Sequence, residues 1–388
     1  MAETTWVLTK RADQTFADEF LVTPERVGGP VKGYSIRKKR LHGGLADGVD
    51  VVTVDNGVLQ FHVLPTRGMG IWKATVGGEP LGWQSPVCGP VHPCFVPLSD
   101  PSGLGWLDGF DEWLVRCGLE SNGAPEFDEA GRLRYGLHGR IANKPAHHVE
   151  VRADGETGVI TVVGIVDETR FHFFKLRMTT SIATRVGTTQ LEIRDCVENL
   201  SDSPTDIQML YHVNFGPPLL GPGAEVVAPV KNLVPRNGHS ANGVADWARY
   251  AAPQAGAQEQ VYFFELQADE RHGTSVLLKN AQGTRGVSMQ FDTRQLPCFT
   301  LWKNTISEAD GYVTGLEPAT NYPNPRSFES REGRTVRLQP RARCTFDLVV
   351  QAHASAEDVA RAEQGVKALQ KLEPTVHPIP QPHWCPDA

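Results

Sequence analysis

The chain carries no surplus of positive charge: 38 Lys and Arg stand against 45 Asp and Glu, a net charge of −7 over 388 residues. Nucleic-acid binders select basic faces, so this balance argues against a nucleic-acid partner. Its densest basic run, "RKKR" at 37–40, is short enough to be a solvated strand end. No apolar run reaches the roughly 18 residues that span a bilayer, so no membrane partner is expected. The opening "MAETTWVLTKRADQTFADEF" lacks the basic-then-apolar pattern of a secretory leader. Cysteine is sparse and unpaired in pattern: Cys88, Cys94, Cys117, Cys196, Cys298, Cys344 and Cys385 never form CxxC. Seven scattered thiols in a chain this long imply a reduced, cytoplasmic setting, and they exclude a zinc site built on Cys pairs.

Several chemical signatures are also missing. GxGxxG and GxxxxGK[ST] do not occur, which removes phosphate-cradling loops. GxSxG and HExxH are absent as well. "AHHV" offers His147 and His148, but neighbours on a strand point to opposite faces and rarely share an ion, so no metal is expected. There is no internal repeat of fixed period.

What is present is β pattern. "GVDVVTVDNGVLQFHVLP" (48–65) alternates around Asp55-Asn56-Gly57 and predicts a hairpin. Residues 147–169 repeat the device with a turn at Asp154-Gly155, and 171–200, 286–304 and 334–353 add strands. Many short strands without long helical patterns between them predict an all-β fold, a large antiparallel β-sandwich or barrel. One helix is expected at 355–372, where Val359, Ala362, Val366, Leu369 and Leu372 recur at helical spacing behind a Ser355/Asp358 cap. The organisation expected is one sandwich over 1–353, with this helix and a Pro-rich extended tail over 354–388 packed on it. Residues 82–130, dense in Gly, Pro and Trp, read as a structured insertion near a pocket, because Trp83, Trp106, Phe110 and Trp113 need burial.

Three titratable residues stand just before Gly or Pro breaks or at the ends of apolar strands: His138 in "GLHGR", His212 in "YHVNFG" and Glu317 in "GLEPATNYP". Such positions hold a side chain rigidly at the mouth of a sheet. Their order and spacing, 74 residues and then 105, resemble the aldose 1-epimerase (galactose mutarotase) superfamily. In that family Asn-Leu-His-Gly-Gly, His-Pro-Tyr-Phe-Asn and Leu-Glu-Thr-Gln-x-x-Pro-Asp stretches follow in this order. The likeness spans about residues 30–350 and is nearest an aldose-1-epimerase-like branch marked by "LPTRGMGI" (64–71). Two decoys copy the motifs more literally, His42 in "RLHGGLADG" and His92 in "VHPCF", but both come too early in the chain. The departures are specific: Ala319 replaces the family's Gln, and "HGRIANKPA" lacks its second Gly. Fold and general mechanism carry over better than sugar specificity.

The resemblance implies a galactose mutarotase-like supersandwich and an isomerase that interconverts anomers of an aldose. Opening the ring requires removal of the O1 proton and protonation of the ring O5. The implied roles are Glu317 as base, His212 as acid on the opposite side of the sugar, and His138 as a hydrogen-bonding partner near the reacting oxygens. Leu316 and Pro318 beside Glu317 suggest partial burial and a raised pKa. No covalent nucleophile or cofactor is required. Expected substrate-binding residues are Arg67, Arg116, Asn122, Arg140, Asn214, Lys303 and Asn321. Arg67 reads equally as a structural ion pair, and Trp302 as a stacking platform or as core. Convergence of Arg67, Arg116, Arg140 and Lys303 would indicate an anionic sugar. The rival readings are an isomerase working at another carbon, with Lys303 or His138 as the extra acid/base, and a non-catalytic sugar-binding protein. An exposed sandwich edge is compatible with a homodimer.

Overall fold

A computed structural model describes residues 3–387. Two large sheets, of ten and fourteen strands among the described residues, face each other with strands mostly antiparallel. This is the large antiparallel β-sandwich expected from the alternation, and among the described residues one α-helix, near the C-terminus, is longer than six residues. The hairpin at 48–65 forms as strands Asp50–Asp55 and Leu59–Leu64, with Asn56 Oδ1 accepting from the amides of Val58 and Leu59. The long strands Val159–Thr169, Lys175–Arg185 and Gln190–Asn199 pair in sequence order.

Five strands of the larger sheet carry the site: β1 (Leu114–Leu119), β2 (Thr205–Phe215), β3 (Gln260–Leu266), β4 (Cys298–Asn304) and β5 (Val313–Ala319). They lie side by side in the order β3-β4-β5-β2-β1. Alternation sorts their side chains between two cores. Met209, Tyr211, Val213, Phe264, Phe299, Leu301 and Leu316 point into the main core between the sheets. Leu210, Val115, Cys117, Val313 and Ala319 point outward, into a second core that the 82–130 insertion completes with Trp83, Trp106 and Phe110. These five strands are therefore buried on both faces, and their near-continuous apolar character follows from that.

The main core also holds polar cross-links. Arg116 Nε donates to Asp195 Oδ2 at 2.5 Å, and Tyr211 Oη and Thr180 Oγ1 donate to the same carboxylate at 2.7 Å each. Arg116 and Tyr211 belong to one sheet, Asp195 and Thr180 to the other, so the network ties the layers together.

Helix α1 (Ala356–Leu369) is capped by Ser355, whose Oγ accepts from the Asp358 amide, and buries Val359 and Val366 against Leu277. It ends three residues before the predicted Leu372, which is 68% exposed. The chain then runs back along the larger sheet, where Thr375–Val376 pairs in parallel with Asn232 and Leu233. Trp384 stacks on Tyr322, and Cys385 is buried.

Asp195→Ala should cost roughly 3–5 kcal/mol, because it strands the Arg116 guanidinium between the sheets. Chemical denaturation of the two proteins, compared by midpoint and slope, measures this. An unchanged midpoint would mean the pair does not tie the layers.

Candidate active site

The cavity lies on the outer face of the β3-β4-β5-β2-β1 segment, beneath the insertion, and encloses about 540 Å³. Its floor follows from strand register. β2 and β5 pair with Val213 opposite Leu316 and Asn214 opposite Gly315, which sets His212 opposite Glu317. On the other side, Glu317 faces Thr300 of β4, and Trp302 faces Gly315. The walls are aromatic. Phe110 and Trp302 lie 5.1 and 5.4 Å from the His212 ring, and Trp106 packs edge-on against His138 at 4.6 Å.

His212 and Glu317 are both buried, with Nε2 and Oε1 3.2 Å apart. The contact is close without being aligned as a hydrogen bond, and Oε1 has no other partner. Gly315 makes this approach feasible: a Cβ there would lie 2.5 Å from Glu317 Oε1 and 2.9 Å from His212 Cε1.

Asn214 sets the tautomer of His212. Its Nδ2 donates to the Glu112 carbonyl at 3.0 Å, so its Oδ1 is the atom facing His212 Nδ1 at 2.7 Å. Nδ1 must therefore carry a proton, and Nε2 of the neutral ring is bare. A bare nitrogen and a carboxylate oxygen in contact would repel, so the carboxyl is the partner that carries a further proton. Burial pushes the Glu317 carboxyl well above its ordinary range, and the charge of Glu259 adds to this against Arg236. Burial also pushes His212 well below its ordinary value, with His138 contributing. Both shifts favour uncharged partners, a protonated Glu317 beside a neutral His212.

His138 adopts φ 56° and donates from Nδ1 to the Asn122 carbonyl at 2.9 Å, leaving Nε2 as an acceptor. Burial lowers its pKa to about 4. Gly139 next to it passes so close to Ser121 that a Cβ would lie 1.9 Å from the carbonyl oxygen.

The three catalytic candidates thus share one cavity, while most of the expected substrate-binding residues do not line it. Arg67 is buried with Glu112, Asn143 and the carbonyls of Val91 and Gly109 around its guanidinium, so it holds loops together and has little left to offer a ligand. Arg116 faces the main core. Lys303 sits one residue from Trp302 and so points to the opposite face, donating to the carbonyls of Asp246, Trp247 and Arg249; burial lowers its pKa to about 8. Arg140 lies beside Glu120 and Glu168, away from the cavity lining. Asn122 and Asn321 saturate each other through reciprocal amide bonds of 2.9 and 2.8 Å. Asn214 acts through His212. The four cations do not converge, and support for an anionic substrate goes with them. His42 is exposed and His92 half-buried, and neither lines this cavity.

Sequence reading missed Thr300, Arg236 and Glu259. Thr300 has a buried Oγ1 without a partner. Glu259 accepts from Trp302 Nε1 at 2.7 Å and stands 3.8 Å from Arg236 at the rim. Parity with Trp302 was the available signal for Thr300.

Comparison with known proteins agrees with this fold. Residues 46–352 match the family model for a domain of unknown function, DUF4432. A protein from Klebsiella pneumoniae, provisionally assigned as an aldose 1-epimerase, is 36% identical over 98% of this chain and 100% of its own, with a TM-score of 0.94. A galactose mutarotase-like protein from Clostridium acetobutylicum (12% identity, 82% and 98% coverage, TM-score 0.57) and a galactose 1-epimerase from Lactobacillus acidophilus (11%, 82% and 99%, 0.52) share the fold. No curated protein matches.

Two outcomes follow from the geometry. Gly315→Ala should leave the circular dichroism spectrum intact but displace the His212–Glu317 contact, lowering any activity of the site by about 100-fold; undiminished activity would contradict the steric reading. His138 should stay neutral down to about pH 4, so its ring NMR signals should hold constant from pH 8 to pH 5. Because its folded pKa lies below that of the unfolded chain, stability should fall as pH drops below about 6.5, where the unfolded state takes up the proton first.

Proposed function

We propose, for a chain that belongs to the DUF4432 family and is built on the galactose mutarotase-like sandwich, that it interconverts the anomers of a reducing sugar by acid–base ring opening. The observation that carries this reading is the 3.2 Å contact of His212 with Glu317 on the floor of an aromatic cavity. O1 and the ring O5 are bonded to the same carbon. A contacting pair can therefore serve both oxygens, and a carboxylate and an imidazole on opposite sides of the sugar are not needed.

The proton positions at rest invert the roles expected from the resemblance. His212 Nε2 takes the proton from O1–H as the C1–O5 bond breaks. The electron pair of that bond goes to O5, which takes the proton of Glu317, and O1 becomes the aldehyde oxygen. The imidazolium and carboxylate then neutralise each other in contact while the chain is open. After rotation about C1–C2, O5 attacks the other face of the carbonyl carbon and both protons return. His138 Nε2 accepts a hydrogen bond from a hydroxyl near C1. Asn214 keeps Nε2 bare, and the aromatic walls keep water from the open-chain form. Chemistry at another carbon would need a further acid or base; of the two candidates for that role, Lys303 faces the main core and His138 lines the cavity as a neutral acceptor beside the reacting end.

The test is anomeric exchange by NMR over a panel of reducing sugars, with wild type and Glu317→Gln. Wild type should accelerate exchange of at least one sugar, and the variant should lose about 100- to 10,000-fold of it. Saturable binding without acceleration, unchanged in Glu317→Gln, would make the protein a sugar-binding module instead.

A further inference from the structure

Ring opening engages one carbon and two oxygens, but the cavity is larger than a bare hexose needs. Its volume of about 540 Å³ lies inside the roughly 300–1,000 Å³ range of sites that take drug-sized ligands. Around the reacting end the aromatic walls are Trp83, Trp106, Phe110 and Trp302, and Ser85, Thr300, Asn304 and Asp310 also line the cavity. At the mouth, Leu104 and Leu107 of the insertion line the same cavity while standing 44% and 42% exposed. Large apolar side chains left open at the rim of a pocket mark a surface that a ligand covers. Among the described residues Arg236 is the one Lys or Arg in the lining, and it is partly solvated and opposed by Glu259. A phosphate or carboxylate would find no unopposed cation here, and a hydroxyl would find partners at Thr300 Oγ1 and Trp106 Nε1 but none on Leu104, Leu107 or Phe110.

Resting on the reading of the site given above, we propose that the substrate is a neutral reducing sugar bearing an apolar substituent, a short acyl or alkyl group, on the edge remote from C1. The reducing end meets Glu317 and His212, and the substituent lies along Phe110 and Trp302 toward Leu104 and Leu107.

Calorimetric titration of the intact protein with glucose, 6-O-butanoylglucose, maltose and glucose 6-phosphate tests this. The ester should bind about tenfold or more tightly than glucose, as burial of its methylenes requires. Maltose, an extension rich in hydroxyls, and the phosphate should bind no better than glucose. The double variant Leu104→Ser, Leu107→Ser, at exposed positions that should not disturb folding, should bring the ester-to-glucose ratio toward one. Equal binding of ester and glucose, tighter binding of maltose or the phosphate, or no binding by any of the four would overturn the proposal. So would a double variant that keeps the ratio but changes the sedimentation mass, because the rim would then be covered by a second copy of the chain. Exchange rates are read separately. Preferential ester binding without accelerated exchange would remove the mutarotase reading and leave this inference standing. Accelerated exchange without preference would do the reverse.

Discussion

The register between β2 and β5 is the constraint on which the site depends. It sets His212 and Glu317 opposite each other on neighbouring strands, where facing side chains are close by construction, and it puts Gly315 next to both. A slip of one residue between the two strands would turn one of these groups into the main core and separate the pair. The glycine removes the one Cβ that would keep them apart. Asn214, two residues along the same face, then orients the imidazole, and the Glu112 carbonyl orients Asn214. The Arg67–Glu112 pair anchors that carbonyl's residue, itself in the insertion, to the sandwich. What resembles a ligand-binding arginine is thus the far end of a chain of contacts that reaches the reacting atoms.

The insertion supplies the other half of the chemistry. Without Trp83, Trp106 and Phe110, the outer face of β2 and β5 would be wet, and a glutamate there would ionise near its ordinary value. Covered, it holds its proton, and the histidine beside it loses affinity for one. The desolvation that raises one pKa and lowers the other also makes the two partners exchangeable as acid and base.

Much of this was legible in the sequence. Alternation and turn chemistry mark the sandwich, and the order of His138, His212 and Glu317 marks the site against the decoys His42 and His92. What was not legible is which face of each strand looks outward. Five strands here are apolar on both faces, so periodicity carries no inside-outside signal, and Lys303 and Arg116 look as available as Trp302 and Cys117. Only pairing decides, and pairing joins residues about a hundred positions apart, as His212 and Glu317 are. Asn122 and Asn321 escaped correct reading for a related reason: each amide is saturated by a partner 199 residues away. Leu372 continues the helical spacing of α1, yet Gln267 captures the amides of Lys371 and Leu372 and draws the chain out of the helix.

The central claim is that at rest Glu317 is protonated beside a neutral His212 that carries its proton only at Nδ1. Nitrogen-15 NMR of the His212 ring at neutral pH measures this directly. The account predicts one protonated nitrogen, Nδ1, and one bare nitrogen, Nε2. A ring protonated at both nitrogens would mean an imidazolium beside a carboxylate, with Glu317 as the resting base, and would contradict it.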